Sequence, residues 1–156
     1  MQDSRGNWRN GNNDCTKKIT VTQGGQVLGA TLPATGSSLA VIPNRISYFF
    51  DLCGPSLLID TACSSSLVAM HSAILSLRSG ECTAALVGGV NLICHSDLSL
   101  AYHKAGMLSP DGQCKSFDAS ANGYVRSEGA VMLMLKPVTK AMSDGNDILA
   151  VIKGSA

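Results

Sequence analysis

The feature that most constrains the fold is an alternation of short apolar runs with helix-like stretches. GPSLLIDTA and AALVGGVNLI are nearly continuous apolar runs, which is typical of buried strands. Large apolar residues of the stretch between them recur at helical spacing: Leu67, Met70, Ile74 and Leu77. Neighbouring apolar residues widen this stripe, so we expect a helix buried on most sides. The alternation predicts a layered α/β fold with a mainly buried sheet.

The remaining elements follow the same alternation. SSLAVIPNRISYFF predicts a helical segment that Pro43 tends to break or kink. SDLSLAYHKAG predicts a short helix capped by Ser96, and Gly80 suits the end of the helix before it. SPDG is a strong turn signal within a long turn-rich loop. The last predicted elements are a strand at AVMLMLKP, a helix at VTKAMSDG and a strand at DILAVIKGSA.

The first 29 residues differ from the rest. They are rich in Asn, Gly and Thr, with only a brief apolar pattern at ITVTQGGQVLG. We leave residues 1–29 unassigned and expect them to be poorly ordered or weakly strand-forming. Residues 30–156 are assigned to one domain, and a hydrophobic content of 45% is enough for a buried core.

The composition argues against several classes of protein. A net charge of +1 and a charged fraction of 15% do not suit a protein that binds nucleic acid or a membrane surface. No apolar stretch reaches the roughly 20 residues that span a bilayer, and the N-terminus lacks the apolar segment of a secretory signal. We therefore predict a cytoplasmic protein with reduced thiols. Its six cysteines form no CxxC pair, so no metal site is expected.

Cys63, in IDTACSSSLVAMHSA, lies where a buried strand passes into the predicted buried helix. The free N–H groups and the dipole at a helix start favour a thiolate and any anion formed on a bound acyl group. Ser64, Ser65 and Ser66 are small, so the backbone can turn sharply there and leave the sulfur accessible. A structural cysteine buried in the core is the alternative, and position alone does not separate the two.

No base for Cys63 is evident from the sequence. His71 lies eight residues further along the helix, roughly 12 Å away at 1.5 Å per residue, and is expected to be a packed or partly exposed helix residue. His95 follows a strand and is a candidate general base, although a surface or hydrogen-bonded histidine is the more common case. A cysteine hydrolase that uses His95 therefore stays an open alternative.

The other candidate motifs give weaker support for a catalytic or binding site than Cys63 does. The glycines of a hydrolase elbow are replaced by Thr61 and Ser65, and neither GGQVLG nor VGGVNL fits a nucleotide-binding loop. Three acidic residues suit binding, capping or a salt bridge with Arg45 or Arg126: Asp60, Asp118 and Glu128.

Taken together, these segments resemble a known family. DTACSSSLVAMHSA is similar to the active-cysteine motif of the β-ketoacyl synthase domains of polyketide and fatty acid synthases. NRISYFFDLCGPS precedes it, and SGECTAALVGGVNL, AGMLSPDGQCKSFDASANGYVRSEGAV and DGNDILAVIKGSA follow in the family's order, from residue 34 to 156. NGYVRSEG resembles the animal fatty acid synthase version and SLVAMHSA the polyketide version. The two together point to an animal fatty-acid-synthase-like polyketide synthase.

The resemblance implies a thiolase-like fold, in which two related halves stack as α-β-α-β-α layers and the complete domain is a homodimer. This chain would be part of the N-terminal half. Cys63 would accept an acyl chain from the phosphopantetheine arm of an acyl carrier protein, for decarboxylative condensation with a malonyl-type extender. The implied partners are the acyl carrier protein and other synthase domains. The resemblance implies no cofactor bound by this chain. It implies neither a nucleic acid nor a membrane as a partner.

The chain also departs from the family. The family's two catalytic histidines lie in motifs resembling EAHGTGT and NxGH, and neither motif occurs in these 156 residues. None of His71, His95 and His103 matches them, and Pro43 replaces the small residue usual before NRIS. We therefore expect a partial ketosynthase (a fragment, a truncated gene model or a splicing product) that is acylated at Cys63 but cannot condense. The alternative is a non-catalytic remnant that associates with a full-length synthase subunit.

Overall fold

The computed structural model describes residues 39–156 and the backbone of residues 17–23. The strands are β1 (Lys17–Gln23), β2 (Ser56–Ile59), β3 (Ala84–Asn91) and β4 (Gly129–Leu135). The helices are α1 (Val41–Phe49), α2 (Ser65–Arg78), α3 (Asp97–Lys104) and α4 (Val138–Ser143), with a 3-10 turn at Ala62–Ser64. The sequence predicts that residues 1–29 are either poorly ordered or weakly strand-forming, and a strand is observed at β1. The rest of that segment lies outside the described residues. No helix of this part of the chain is long and apolar enough to cross a bilayer.

The four strands form one mixed sheet in the order β2-β1-β3-β4. β1 is parallel to both of its neighbours, with Thr20 opposite Leu57 on one side and Val87 on the other. β4 is antiparallel to β3, so that Val87 faces Leu133 and Asn91 faces Gly129. The parallel strands β2 and β3 are joined through α2, which crosses over β1. This crossover confirms the predicted α/β alternation.

Helix α1 shows that Pro43 does not interrupt the helix, contrary to the prediction. Pro43 is buried and occupies the first turn of α1, where N–H groups have no partner inside the helix and a missing donor costs nothing. Ser47, one turn later, has its Oγ 3.1 Å from the Pro43 carbonyl oxygen and 2.8 Å from the Ser56 Oγ. The second contact fastens α1 to the start of β2.

Helix α2 is present as predicted, but its buried face is a different one. The buried residues are small: Ser65, Ala69, Ala73 and Ser76. They repeat at intervals of three and four, and they let the helix approach the sheet closely. Leu67 and Leu75 are exposed instead, because they lie on faces that no element of the described chain covers. Met70 and Leu77 of the apolar stripe are half-buried and pack against the core. The prediction of a helix buried on most sides is therefore confirmed for these residues and for the small face, and is wrong for Leu67 and Leu75.

The core between α2 and the sheet is compact. It contains Cys82, Ala85 and Val87 from β3 and the loop before it, packed against the small face of α2. At the other end of the helix, Gly80 has a φ of +74°. The Gly80 amide donates to the Leu77 carbonyl and the Glu81 amide to the Ser76 carbonyl, which is a Schellman ending. The predicted stop at Gly80 is confirmed.

The predicted strand at DILAVIKGSA is not formed in the described structure. Residues 146–156 have no regular structure, and Leu149 and Val151 are exposed. A strand requires a ladder partner, and this segment pairs with no strand of the described sheet. The segment is fixed at its far end, where Ser155 Oγ lies 3.1 Å from His71 Nδ1 on α2. β4 is also largely exposed, so burial of the sheet is concentrated at β3.

Candidate functional site

Cys63 lies in a sharp turn between β2 and α2, as the sequence predicts. It is the middle residue of the 3-10 turn that leads into the first residue of α2. Ala62, directly before it, has a φ of +57°. An alanine in this left-handed region carries steric strain, which persists only where the surroundings enforce it. Such outliers are concentrated at functional sites, and this one sets the direction in which Cys63 leaves the strand.

Ser65 provides the first support of the turn. Its Oγ accepts a 2.8 Å hydrogen bond from the Thr61 amide and donates a 2.6 Å bond to the Ala62 carbonyl. On the strand side, Asp60 Oδ1 accepts the Ala62 amide at 3.0 Å. Side chains therefore satisfy the backbone groups that the sharp bend removes from regular pairing.

Ser64 adds a second support on the outer side. Its Oγ lies 2.9 Å from the Thr61 carbonyl oxygen, to which it donates, and 2.9 Å from Thr61 Oγ1. The serines after the cysteine are thus more than small residues, because two of them hold the turn in shape. Cys63 itself is an exposed free thiol. The alternative of a structural cysteine buried in the core is therefore wrong for Cys63.

A pocket of about 420 Å³ opens beside Cys63. The turn and the first residues of α2 form one side, and β3 and β4 form the other. The strand side is mostly apolar and includes Val87, Val90, Val131 and Leu133. A nucleophile beside an apolar cavity suits a substrate with an aliphatic chain.

Two hydrogen bonds close the far wall of this pocket. Asn91 Nδ2 donates to the Ser127 carbonyl at 2.5 Å, and Glu128 Oε1 accepts the Ile93 amide at 2.5 Å. They tie the end of β3 to the residues that enter β4. Sequence reasoning had named Glu128 only as a general candidate and had missed Asn91. A polar residue directly after the apolar run AALVGGV was the available signal for Asn91.

The histidines do not complete the site. None of His71, His95 and His103 is among the residues that line the pocket. His71 is half-buried and hydrogen-bonded to Ser155, whereas His95 and His103 are exposed. The prediction that His71 is a packed or partly exposed helix residue is confirmed. His95 lies outside the pocket lining, so the structure provides no geometric support for its role as a base.

The acidic candidates have structural roles. Asp60 supports the Cys63 turn, and Asp118 Oδ1 accepts the amide and hydroxyl of Ser120, both at 2.7 Å, which lowers the pKa of Asp118. Arg126, one of the two arginines named as possible salt-bridge partners, donates a 2.6 Å hydrogen bond to Ser99 Oγ. Among the described residues, no three His, Cys, Asp or Glu side chains group closely enough to hold a metal ion.

The long loop before β4 is held by its own polar groups. Asp111 accepts from Lys115 at 2.5 Å and from the Ser109 hydroxyl, and these bonds hold the pKa of Asp111 well below its usual range. Leu108 and Tyr124 form an isolated bridge that closes the loop. The loop returns the chain to Ser127 and Glu128 and so positions the far wall of the pocket.

The site thus combines a braced cysteine at a strand-to-helix turn with an apolar pocket on a mixed α/β sheet. Comparison with known proteins specifies the family. The family model for "Beta-ketoacyl synthase, N-terminal domain" matches residues 7–141. The chain therefore belongs to the β-ketoacyl synthase family, and the resemblance found from the sequence is confirmed.

Curated relatives are polyketide synthases and related enzymes. The chain is 54% identical over 121 residues to a partially reducing polyketide synthase from Menisporopsis theobromae, which covers 78% of this chain and 5% of that protein. It is 52% identical over 122 residues to a phenolphthiocerol/phthiocerol polyketide synthase from Mycobacterium tuberculosis, covering 78% and 6%. A cyclo-acetoacetyl-L-tryptophan synthase from Aspergillus oryzae is 50% identical over 123 residues, covering 79% and 3%.

Solved ketosynthase domains share the fold. The oxazolomycin ketosynthase domain of Streptomyces albus matches with a TM-score of 0.80 and 41% identity, over 88% of this chain and 25% of that one. The ketosynthase from module 6 of the bacillaene synthase of Bacillus subtilis matches with a TM-score of 0.79 and 44% identity, over 85% and 23%. The predicted partial thiolase-like α/β fold is confirmed. The chain spans about a quarter of the ketosynthase chains and a few per cent of the synthases.

Proposed function

We propose that Cys63 is the acyl-accepting nucleophile of a β-ketoacyl synthase. The Cys63 sulfur attacks the carbonyl carbon of an acyl thioester, and a new carbon–sulfur bond forms. The bond to the leaving thiolate breaks, and the leaving thiolate takes up the proton that the Cys63 thiol releases. The observation that carries this proposal is the exposed Cys63 thiol in a strained, braced turn that opens on an apolar pocket.

The proposed acyl donor is the phosphopantetheine arm of an acyl carrier protein. The complete family reaction continues with a malonyl-type extender, whose carbanion attacks the acyl-cysteine after loss of carbon dioxide. The family's two histidine motifs are absent from these 156 residues. We propose that these 156 residues, acting on their own, accept the acyl group without condensing it. Partnership with other synthase domains is supported by the relatives, which are much longer synthases. The cytoplasmic location and the animal-type subtype stay predictions.

The homodimer of the complete domain is also part of this proposal. Among the described strands β2 lies at an edge of the sheet, and Tyr48, Phe49 and Phe50 are exposed at the end of the adjacent helix α1. An unpaired strand edge beside exposed aromatic side chains favours association.

Acylation is tested with butanoyl-N-acetylcysteamine and with a butanoyl-loaded acyl carrier protein, followed by peptide mass spectrometry. Cys53, Cys94 and Cys114 are also exposed and serve as internal controls. We expect the adduct at Cys63 and its loss in Cys63→Ala. Equal modification of all exposed cysteines would refute the proposal. Formation of β-ketoacyl product by this chain alone would refute its second half.

The alternative of a non-catalytic remnant is favoured by one observation, the exposed apolar side chains of β4: Val131, Met132, Leu133 and Met134. Size-exclusion chromatography with circular dichroism separates the two functions. A cooperatively melting monomer that is acylated at Cys63 supports the synthase role. Association with a full-length synthase, without acylation, supports the remnant. The hydrolase alternative requires thioester hydrolysis that is lost in His95→Ala.

A further inference from the structure

Strand β3 contains two consecutive glycines, Gly88 and Gly89, which belong to the VGGVNL motif. β3 is hydrogen-bonded to β1 on one side and to β4 on the other, so the two glycines lie in the interior of the sheet. Glycine weakens the interior of a strand, because it loses more backbone freedom on folding and has no side chain to pack. Since neighbouring residues point to opposite faces of a sheet, each glycine needs its own explanation.

Gly88 is explained by packing on one face of the sheet. A Cβ built on Gly88 would lie 2.8 Å from the Sδ and Cε atoms of Met132, the residue opposite it on β4. The Met132 side chain therefore occupies the space that a side chain at position 88 would need. Gly89 points to the other face, so this contact does not explain it.

The register of β3 places Gly89 on the face of the sheet that carries α2. The ladders to β1 and β4 both run without interruption through Gly89, which lies opposite Val131. Alternate residues of a strand share a face. Val87, two residues before Gly89, is 4% exposed and belongs to the core cluster with Ala69 and Ala73 of α2. A side chain at position 89 would therefore point to the side on which α2 lies.

The pocket beside Cys63 lies next to this position. Gly89 lines the pocket, together with Val131 from the same face of the sheet. The other side of the pocket includes Ser66 and Met70 of α2. Because Gly89 has no side chain, its part of the wall leaves room that any other residue would fill. A methyl or larger group at this position would project into the cavity and narrow it.

We propose that Gly89 is a specificity-determining residue, whose missing side chain sets the largest acyl group that Cys63 accepts. The inference rests on the proposed function and deepens it, because it assigns the size limit of the acyl group to one position of the sheet. The cost of this glycine to β3 is offset by room for the substrate beside the nucleophile. An aliphatic chain that fills this room gains free energy by leaving water for apolar walls. A side chain at position 89 should therefore reject long acyl groups more strongly than short ones.

The test uses acetyl-, butanoyl- and octanoyl-N-acetylcysteamine with the wild type, Gly89→Ala and Gly89→Val. Peptide mass spectrometry follows acylation of Cys63, and each rate is divided by the rate at which iodoacetamide alkylates Cys63 in the same protein. This division removes any change in the reactivity of the thiol itself. We expect the octanoyl-to-acetyl rate ratio to fall by about tenfold in Gly89→Val, the factor that an overpacked contact supplies. The ratio should fall by less in Gly89→Ala.

Ala130→Val is the matched control. Ala130 is exposed on β4 and lies on the opposite face from Val131, so the substitution adds volume to the sheet outside the pocket lining. We expect its rate ratio to equal that of the wild type. Circular dichroism melting identifies a variant that fails to fold, and if Gly89→Val does not fold, Gly89→Ala decides.

Three results would overturn the inference and leave the proposed acylation standing. The first is an octanoyl-to-acetyl ratio that is the same in the wild type and in the Gly89 variants. The second is an equal fall of this ratio in Ala130→Val. The third is a lower melting temperature for Gly89→Ala than for the wild type, which would show that protein atoms rather than free space lie beside Gly89. If no probe acylates Cys63 in the wild type, the proposed function fails, and the inference fails with it.

Discussion

The Ser65 hydroxyl and the Ala62 carbonyl are joined by a 2.6 Å hydrogen bond that spans Cys63 in the chain. The same Ser65 oxygen accepts the Thr61 amide, and the side chain is buried. Ser65 belongs to α2 and lies after Cys63 in the chain, yet its side chain fixes the backbone of Thr61 and Ala62, which lies before Cys63. The shape of the site depends on this contact.

Ser65→Ala removes both bonds, so that the Thr61 amide and the Ala62 carbonyl lose their side-chain partner. We expect a loss of about 1–3 kcal/mol in the free energy of unfolding, together with slower alkylation of Cys63 by iodoacetamide. Urea titration and peptide mass spectrometry measure the two effects. Ser116→Ala is the matched control, since Ser116 is exposed. Equal behaviour of the two variants would contradict the role of Ser65.

The left-handed conformation of Ala62 predicts a ranking of substitutions. Ala62→Val adds a branched side chain at a φ of +57°, whereas Ala62→Gly removes the clash. We expect the valine variant to be less stable than the glycine variant by at least about 1–2 kcal/mol. Chemical denaturation of both variants measures the difference. A more stable valine variant would show that the turn relaxes out of this conformation.

Gly123 is a position where a methyl group does not fit. A Cβ added there would lie 2.5 Å from the Leu108 carbonyl carbon and the Ser109 nitrogen, and the φ of +138° is unfavourable for any L side chain. We expect Gly123→Ala to cost about 3 kcal/mol of stability. Gly129→Ala is the control, because nothing lies within 4 Å of its added Cβ. Similar melting temperatures for the two variants would disprove the close approach.

Asp144 predicts a dependence of stability on pH. Lys136 and Lys140 donate hydrogen bonds to this carboxylate and lower its pKa from 3.8 to about 2. The unfolded chain therefore binds more protons than the folded one between these values, so the contribution of Asp144 is present above pH 4 and is lost as the pH falls toward 2. Melting curves of the wild type should decline through this range more steeply than those of Asp144→Asn. Parallel curves would exclude the contribution.

The buried face of α2 gives a further prediction. Ala73 is fully buried against the sheet, whereas Leu75 is half exposed. Ala73→Leu should cost about 1–3 kcal/mol through overpacking, and more than Leu75→Ala. The reverse order, measured by denaturant titration, would contradict the assignment of the small residues as the packing face of α2.

The elements could be predicted from the sequence because each has a local signal. The apolar runs identified β2, β3 and β4, Gly80 marked the end of α2, and the strand-to-helix junction placed Cys63. These signals act over a few residues, within the reach of backbone geometry and helix periodicity.

The rest depends on contacts between distant residues. Periodicity identifies α2 as a helix, but the element that packs against it decides that Ala69 is buried and Leu67 exposed. The bond from Ile93 to Glu128 joins residues 35 positions apart, and no spacing rule identifies such a pair. Residues 146–156 have the composition of a strand, yet a strand forms only where a partner edge is available.

The position of β1 has a consequence for the order of folding. β2 and β3 are consecutive strands, yet β1 lies between them, so neither can complete its ladder until the earlier segment has been inserted. β2 and β3 therefore do not pair directly with each other, although they follow one another in the chain. Pairing β1 with β2 requires the closure of a loop of some thirty residues. Only after this closure can α2, the crossover helix that follows Cys63, pack against β1, β2 and β3 together. The nucleophile's turn is thus expected to take its final shape late, after the least local contacts have formed.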